Sequence, residues 1–255
     1  MSEITPSILL PFCSSALEAW RHRPDQASLR EAALTAAQQA AGVIRAIPKA
    51  KREGDEFQAA LALARIFIQS GLHDSGTSDA EQSQAATLRT QGWPGILASM
   101  VLVPAWSYSP ALSYDDVPLW LWAQYTHYLF AAPVKPWASN VADAYAAHMK
   151  RSLEMLSRIN EANRGSTAVR SSISAFLEQS GAETLANANS NLADCLALRG
   201  KLLTHAFALG PQNDPVALPR EGRALKLGVC LPRLSDTPDV RAVLAFVEHL
   251  PPARF

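Results

Sequence analysis

The chain has 255 residues, of which 48% are hydrophobic and 18% are charged, so it is long and apolar enough to bury a substantial core. Lys plus Arg equals Asp plus Glu at 23 each, and this balance argues against binding to nucleic acid or to a membrane surface. Cys13, Cys195 and Cys230 form no CxxC pair, so we expect neither a disulfide framework nor a zinc site but buried thiols in a cytoplasmic protein.

The first third of the chain has helical spacing. Apolar residues recur every three or four positions from residue 24 to residue 47, which predicts a long amphipathic helix ended by Pro48. A second helix is predicted from about residue 55 to residue 70. We expect the two to pack as an antiparallel pair across a short basic turn. The apolar patch at residues 8 to 10 has no basic residue before it, unlike a secretory signal.

The middle of the chain begins with a polar linker, residues 71 to 79. A short helix is predicted next, with Asp79 as its N-cap and Gly92 at its end. The apolar segments 95 to 106 and 117 to 130 are too short or too interrupted for a membrane span, which needs about 20 apolar residues. We therefore predict that both contribute core helices.

The connection between these apolar segments is a Pro- and Tyr-rich loop, residues 104 to 114. It should be ordered, because Trp106, Tyr108 and Tyr114 provide apolar surface to bury.

An aromatic helix follows, which Asp115 or Asp116 should cap and which Pro133 should end. Its aromatic stripe consists of Trp120, Trp122, Tyr125 and Tyr128. The stripe has two interpretations: it forms a partner surface or ligand groove, or it belongs to the core, as most such stripes do.

Three further helices are predicted: one that Ser139 or Asn140 opens, one from residue 167 to 179, and one from residue 183 to 209. The result is a mainly α fold, an all-α domain of about eight helices over residues 1 to 210. No fixed repeat length occurs, which argues against a regular solenoid.

The pattern changes after a linker at residues 211 to 223. Residues 224 to 231 are predicted to form a β-strand, and residues 239 to 250 a helix. A strand, a turn and a helix make the first half of a parallel βαβ unit, so residues 224 to 255 are predicted to begin an α/β domain.

Motifs with a defined chemistry are missing from the sequence. The six histidines form neither HxxxH nor HExxH, and GxSxG, GxGxxG and the P-loop pattern do not occur. The acidic pair Asp115 and Asp116 has no second acidic cluster at a spacing that would complete a magnesium site. We therefore predict no metal site and no catalytic residue within this chain.

Residues 226 to 238 resemble the first strand of the catalytic lobe in bacterial SPINDLY-like and O-GlcNAc-transferase-like enzymes, glycosyltransferase family 41. Lys226 and Gly228 match the start of that strand, and Pro238 matches the proline of the family's His-Pro pair. Thr237 stands where the family carries the histidine, and a threonine cannot serve as a general base near neutral pH.

A second resemblance lies in the Pro-, Trp- and Tyr-rich segment from residue 117 to residue 133. It looks like part of the helical N-terminal domain of adhesin N-glycosyltransferases in the same family. The two similar segments occur in the order that the family implies.

The resemblance implies a two-lobed, Rossmann-like GT-B enzyme that transfers a sugar from a UDP-sugar to a protein side chain. Ligands of such sheets lie at the carboxyl ends of the strands, which would place Arg233, Asp236 and Thr237 near a substrate. The lobe that binds the nucleotide has no counterpart in these residues, so we expect no cofactor and no turnover by this chain alone. Its helical part would orient the acceptor protein or peptide.

Two alternatives stay open. The chain is a stand-alone helical interaction module without enzymatic activity, in which the open edge of strand 224 to 231 pairs with another copy and forms a homo-oligomer. Otherwise it is a small-molecule enzyme with a pocket among its helices, since helical folds give few sequence clues to function.

Overall fold

The computed structural model describes residues 4–74, 77–108, 112–134, 141–163, 165–179, 182–185 and 187–206. These residues form α-helices and two short 3-10 segments, and no β-strand occurs among them, which confirms the predicted mainly helical fold. The helices are α1 (Pro6–His22), α2 (Ala27–Arg45), α3 (Asp55–Ile68), α4 (Asp79–Arg89), α5 (Trp93–Leu102), α6 (Trp122–Phe130), α7 (Val141–Ala162), α8 (Thr167–Gln179), α9 (Ala182–Leu185) and α10 (Ala193–Ala206). The 3-10 segments are Ala105–Ser107 and Leu119–Leu121.

The chain divides into two compact units, Met1–Phe207 and Ala208–Phe255. The first contains every described helix. The predicted linker 211 to 223, the strand 224 to 231 and the helix 239 to 250 lie outside the described residues.

Helix α1 is absent from the sequence-based prediction. Its buried residues Leu9, Cys13, Leu17 and Trp20 follow helical spacing, but Pro11 lies inside the helix and reads in sequence as a helix breaker. The Cys13 thiol is fully buried and lies 3.7 Å from the Ala36 carbonyl oxygen of α2. Burial raises the pKa of this thiol to about 11.

Helix α2 packs mainly against α1 and α5 through small side chains. Its buried residues are Ala33, Ala36, Ala37, Ala40, Ala41 and Ile44. All ten residues of α5 are buried, so this apolar segment is a core helix, as predicted. Contacts between α2 and α3 are sparse, because each packs mainly against α1 and α5, so the predicted pairing of the two helices is a minor contact.

Glycine allows the sharp corner between α4 and α5. A Cβ atom on Gly95 would lie 1.9 Å from the Leu88 carbonyl oxygen, a backbone atom that cannot move aside alone. Gly92 adopts φ of 82° as the N-cap of α5, so it opens this helix, whereas the sequence predicted that it closes α4. Ser78, not Asp79, caps α4, and it forms a full capping box with Glu81.

The second half of the unit is built on α6, α7 and α8. Helix α6 packs closely against α8, where the Phe130 and Phe176 ring centroids lie 4.7 Å apart. Helix α7 packs against α10 and the 3-10 segment Ala105–Ser107. Trp106, Tyr108 and Tyr114 are buried, which confirms that their loop is ordered where the structure describes it.

Two predictions about the helices need correction, and a third lies outside the described residues. Asp115 and Asp116 cap no helix, because they are exposed residues before the 3-10 segment that starts at Leu119. The predicted helix from 183 to 209 is split into α9 and α10 by a stretch without helical hydrogen bonding. Ser139 and Asn140, the predicted caps of α7, lie outside the described residues.

No described helix is both long enough and apolar enough to cross a membrane.

Candidate functional site

The predicted aromatic stripe divides into an exposed end and a buried end. Trp120 is 38% exposed and Trp122 is partly buried. Tyr125 and Tyr128 are buried, so the prediction of an interaction surface is wrong for these two tyrosines and the core interpretation is right. The 3-10 segment before α6 leaves Trp120 on the surface, while α6 turns both tyrosines into the protein.

The buried tyrosines are held by specific hydrogen bonds. Tyr128 donates its hydroxyl proton to the Val103 carbonyl oxygen at 2.8 Å. The Thr126 hydroxyl donates to the Trp122 carbonyl oxygen at 2.8 Å, so it accepts from the Tyr114 hydroxyl at 2.6 Å. Burial raises the pKa of all three tyrosines in this layer, Tyr114, Tyr125 and Tyr128, so they stay protonated and act as structural hydrogen-bonding groups.

Arg89 lies beside two of the tyrosine rings. Its Nη2 donates to the Tyr125 hydroxyl at 2.6 Å, and its Cζ lies 5.2 Å from the Tyr125 ring centroid and 5.9 Å from that of Tyr108. Both Arg89 Nη1 and the Tyr108 hydroxyl are buried without a hydrogen-bond partner in the described part of the chain. Burial, opposed by the Arg89 charge, raises the pKa of Tyr108 to about 12.

Two aromatic rings support the exposed end of the stripe. The Trp120 ring contacts Phe57 of α3 at 5.4 Å and Trp93 of α5 at 5.6 Å between centroids, both edge to face. The Trp93 indole N–H donates to the Lys49 carbonyl oxygen at 2.8 Å, which fixes that ring. Leu119, next to Trp120, is 62% exposed. We call Leu119 and Trp120 with the rings of Phe57 and Trp93 the aromatic surface.

The sequence did not predict that Leu119, Phe57 and Trp93 belong to this surface. Phe57 and Trp93 come from segments that are distant from Trp120 in sequence, and only tertiary packing brings the three rings together. One local signal existed: Pro118 disfavours helical conformation in Val117, so a regular helix should begin after it. In a helix that begins there, Leu119 lies in the first turn and not on the face that carries the tyrosines.

A serine and a histidine meet on α7 but do not form a nucleophile and base. Ser152 Oγ lies 3.2 Å from His148 Nε2, and the same nitrogen lies 2.8 Å from the Leu129 carbonyl oxygen. A carbonyl oxygen only accepts, so Nε2 must carry a proton and cannot accept the serine proton. Burial lowers the pKa of His148 to about 4, which keeps the ring neutral near pH 7.

The described residues contain no group of three or more His, Cys, Asp or Glu side chains that could hold a metal ion. The Ser113 hydroxyl donates to the Asp115 carboxylate at 2.6 Å and accepts from the Asp115 backbone N–H at 3.1 Å, so Asp115 is held in a local turn. The predicted substrate-binding residues Arg233, Asp236 and Thr237 lie outside the described residues.

No family model matches the chain, and neither the curated proteins nor the solved structures contain a significant match to it.

Proposed function

We propose that the helical unit is a protein-binding domain and that the aromatic surface is the centre of its binding site. The observation that carries this proposal is an exposed tryptophan held in place by two other rings. Residues of this kind bind tightly because little side-chain entropy is lost and a large apolar area leaves water on association. Leu119 extends the apolar area beside Trp120.

The resemblance in residues 117 to 133 and 226 to 238 supports a more specific role. The helical domain holds an acceptor protein while a GT-B catalytic region transfers a sugar from a UDP-sugar to one of its side chains. The domain supplies orientation, which raises the effective concentration of the acceptor at the reacting sugar. We expect no transfer by these 255 residues alone, since the nucleotide-binding lobe of the family has no counterpart in the sequence.

Protein binding is tested at Leu119 with a photoreactive amino acid. We expect it to cross-link a partner protein, which is then purified and titrated against the full chain. Trp120→Ser should weaken binding at least 10-fold, in line with the loss of an aromatic hot-spot residue. Leu196→Ser is the matched control, because Leu196 is 52% exposed on α10, away from these rings in sequence. Equal affinity for the two variants would contradict the proposed surface.

The enzymatic role is tested on the chain together with any coding sequence that continues in frame after Phe255. We expect that longer form to transfer sugar to the partner, and Trp120→Ser to slow transfer while UDP-sugar hydrolysis stays unchanged. Binding of the partner without transfer would favour the second candidate, a helical interaction module without enzymatic activity. Sedimentation of the full chain tests whether a second copy is the partner.

A further inference from the structure

A groove separate from the aromatic surface runs along α7. It consists of two adjoining cavities of about 210 and 430 Å³, which share Leu112, Met155 and Arg158 in their walls. The α7 wall follows helical spacing, with residues three or four positions apart on one face. It is formed by His148, Arg151, Ser152, Met155, Arg158, Ile159 and Ala162. The larger cavity falls in the size range of small-molecule sites, about 300 to 1,000 Å³, and the smaller one extends it.

One end of the groove is positively charged and offers hydrogen-bond donors. Arg151 and Arg158 form no salt bridge with another residue in the described part of the chain, and both line the smaller cavity. Tyr108 lines the same cavity, is 96% buried and has a hydroxyl without a hydrogen-bond partner among the described residues. The Arg89 cation lies behind the Tyr108 ring. Glu154 is the acidic residue in this wall, so cations outnumber acids here.

The larger cavity, which shares Arg158 with the smaller one, is lined mainly by apolar side chains and also by the acidic Asp115. Leu112, Met155 and Ile159 provide an apolar surface that continues to Ala162. Asp115 lies in the wall of the larger cavity, where its negative charge opposes a second anionic group on a ligand.

We propose that this groove binds an amphipathic carboxylate that carries one negative charge. Its carboxylate accepts hydrogen bonds from Arg151, Arg158 and the Tyr108 hydroxyl, which supplies the partner that this buried group lacks. Its hydrocarbon chain covers Leu112, Met155 and Ile159, and leaves water as it does so. The polarity of the groove fixes the direction of the ligand, with the carboxylate at the Tyr108 end. This inference does not depend on the proposed protein-binding function.

The test is calorimetric titration of the full chain with decanoate, decanol and decanedioate. We expect saturable binding of decanoate at micromolar to millimolar concentration. Decanol, which has no charge, and decanedioate, whose second carboxylate meets Asp115, should each bind at least 5-fold more weakly. Equal binding of decanol would overturn the proposal, because the arginines would then contribute nothing. An absence of saturable decanoate binding would overturn it as well.

Variants test the residues directly. Arg158→Gln should weaken decanoate binding about 10- to 100-fold, the range expected for a charge-assisted hydrogen bond. Tyr108→Phe should weaken it about 3- to 10-fold, less than Arg158→Gln, because the phenol donates a single hydrogen bond and carries no charge of its own. Arg45→Gln is the control, since Arg45 is an exposed arginine in the last turn of α2. Unchanged decanoate affinity in Arg158→Gln, with the same affinity in Arg45→Gln, would rule out the assigned site.

Discussion

The helical unit contains two layers that are packed by different means. In the first, α1, α2, α3 and α5 approach mainly through alanine and other apolar side chains, and few polar side-chain atoms are buried among them. In the second, α6, α7 and the described residues before α6 bury tyrosine and histidine, and the polar atoms of Tyr128, Tyr145 and His148 bond to backbone carbonyl oxygens. Shape determines most of the packing in the first layer, whereas shape and hydrogen bonds together determine the second.

The two layers should therefore be destabilised by different kinds of substitution. A layer of small residues tolerates no added volume, because backbones already lie close together. A layer of hydrogen-bonded aromatic residues is sensitive to the loss of one polar atom, because its partner is left buried without a bond. Four substitutions test this contrast, in order of decreasing effect.

The largest effect is expected at the α4–α5 corner. Gly95→Ala would place a methyl carbon 1.9 Å from the Leu88 carbonyl oxygen, and we expect the free energy of unfolding to fall by about 3 kcal/mol or more. Gly42→Ala is the control, because Gly42 in α2 has no atom within 4 Å of an added Cβ, and we expect a gain of about 0.5 to 1 kcal/mol. Urea denaturation measures both. A similar loss in the two variants would mean that helix propensity, not the close approach, sets the effect.

The second prediction concerns pH and His148. Its pKa in the folded protein is about 4, below the ordinary value of 6.5, so the unfolded chain binds the proton first as the pH falls. Above a pH of about 6.5, the titration of His148 therefore does not affect stability. Between about pH 6.5 and pH 4, it lowers the free energy of unfolding by about 1.4 kcal/mol for each unit by which the pH falls.

His148→Gln removes this titration and keeps a hydrogen-bond donor near the Leu129 carbonyl oxygen. We expect the variant to lose less stability than the wild type between pH 6.5 and pH 4, measured by urea denaturation at several pH values. The pKa of His73 is also lowered by burial, and it is present in both proteins, so the difference between them isolates His148. Parallel curves would show that His148 does not titrate in this range.

The third prediction compares two buried tyrosines. Tyr128→Phe leaves the Val103 carbonyl oxygen without this donor, and we expect the free energy of unfolding to fall by about 1 to 3 kcal/mol. Tyr108→Phe removes a hydroxyl that has no hydrogen-bond partner in the part of the chain that the structure describes, so stability should stay within about 0.5 kcal/mol or rise. Thermal and urea denaturation report both changes. A greater loss in Tyr108→Phe would reverse the roles that we assign to the two hydroxyls.

The smallest effect is expected at the exposed start of α4. Ser78→Ala removes the capping box with Glu81 and should lower the free energy of unfolding by about 1 kcal/mol. Ser83→Ala lies inside the same helix on an exposed position and should be neutral or slightly stabilising, because alanine favours the helix. If both serines behave alike, capping contributes nothing measurable here.

Local chemistry explains which parts of the fold could be predicted. The helix from 167 to 179 was predicted with the bounds that α8 has, and α2 and α3 lie within their predicted ranges, since helical periodicity and end residues are local signals. Helix α1 was not predicted because Pro11 disfavours a helix locally. The helix forms nevertheless, because burial of the apolar residues around Pro11 outweighs the free-energy cost of the proline. The caps predicted at Asp79 and Asp115 were wrong because neighbouring serines change the local hydrogen bonding. Ser78 caps α4 in place of Asp79, and Ser113 holds Asp115 in a turn.

The sites could be predicted less well than the helices. Trp120 was identified from its type and position, but its exposure depends on how the chain turns after Pro118. Arg89 gave no signal, because an arginine in a polar helix is ordinarily solvated, and only the fold places it beside two tyrosine rings. The groove on α7 depends equally on the segment opposite, which no sequence pattern pairs with that helix.

The thiol of Cys13 makes the first layer measurable in real time. With a pKa of about 11 and no accessible surface, it should react with an alkylating reagent only when α1 separates from α2. The rate of labelling at low denaturant then counts these opening events, and a comparison with global unfolding shows whether α1 detaches on its own. The rate at which this native thiol is labelled thus reports how often the N-terminal helix opens.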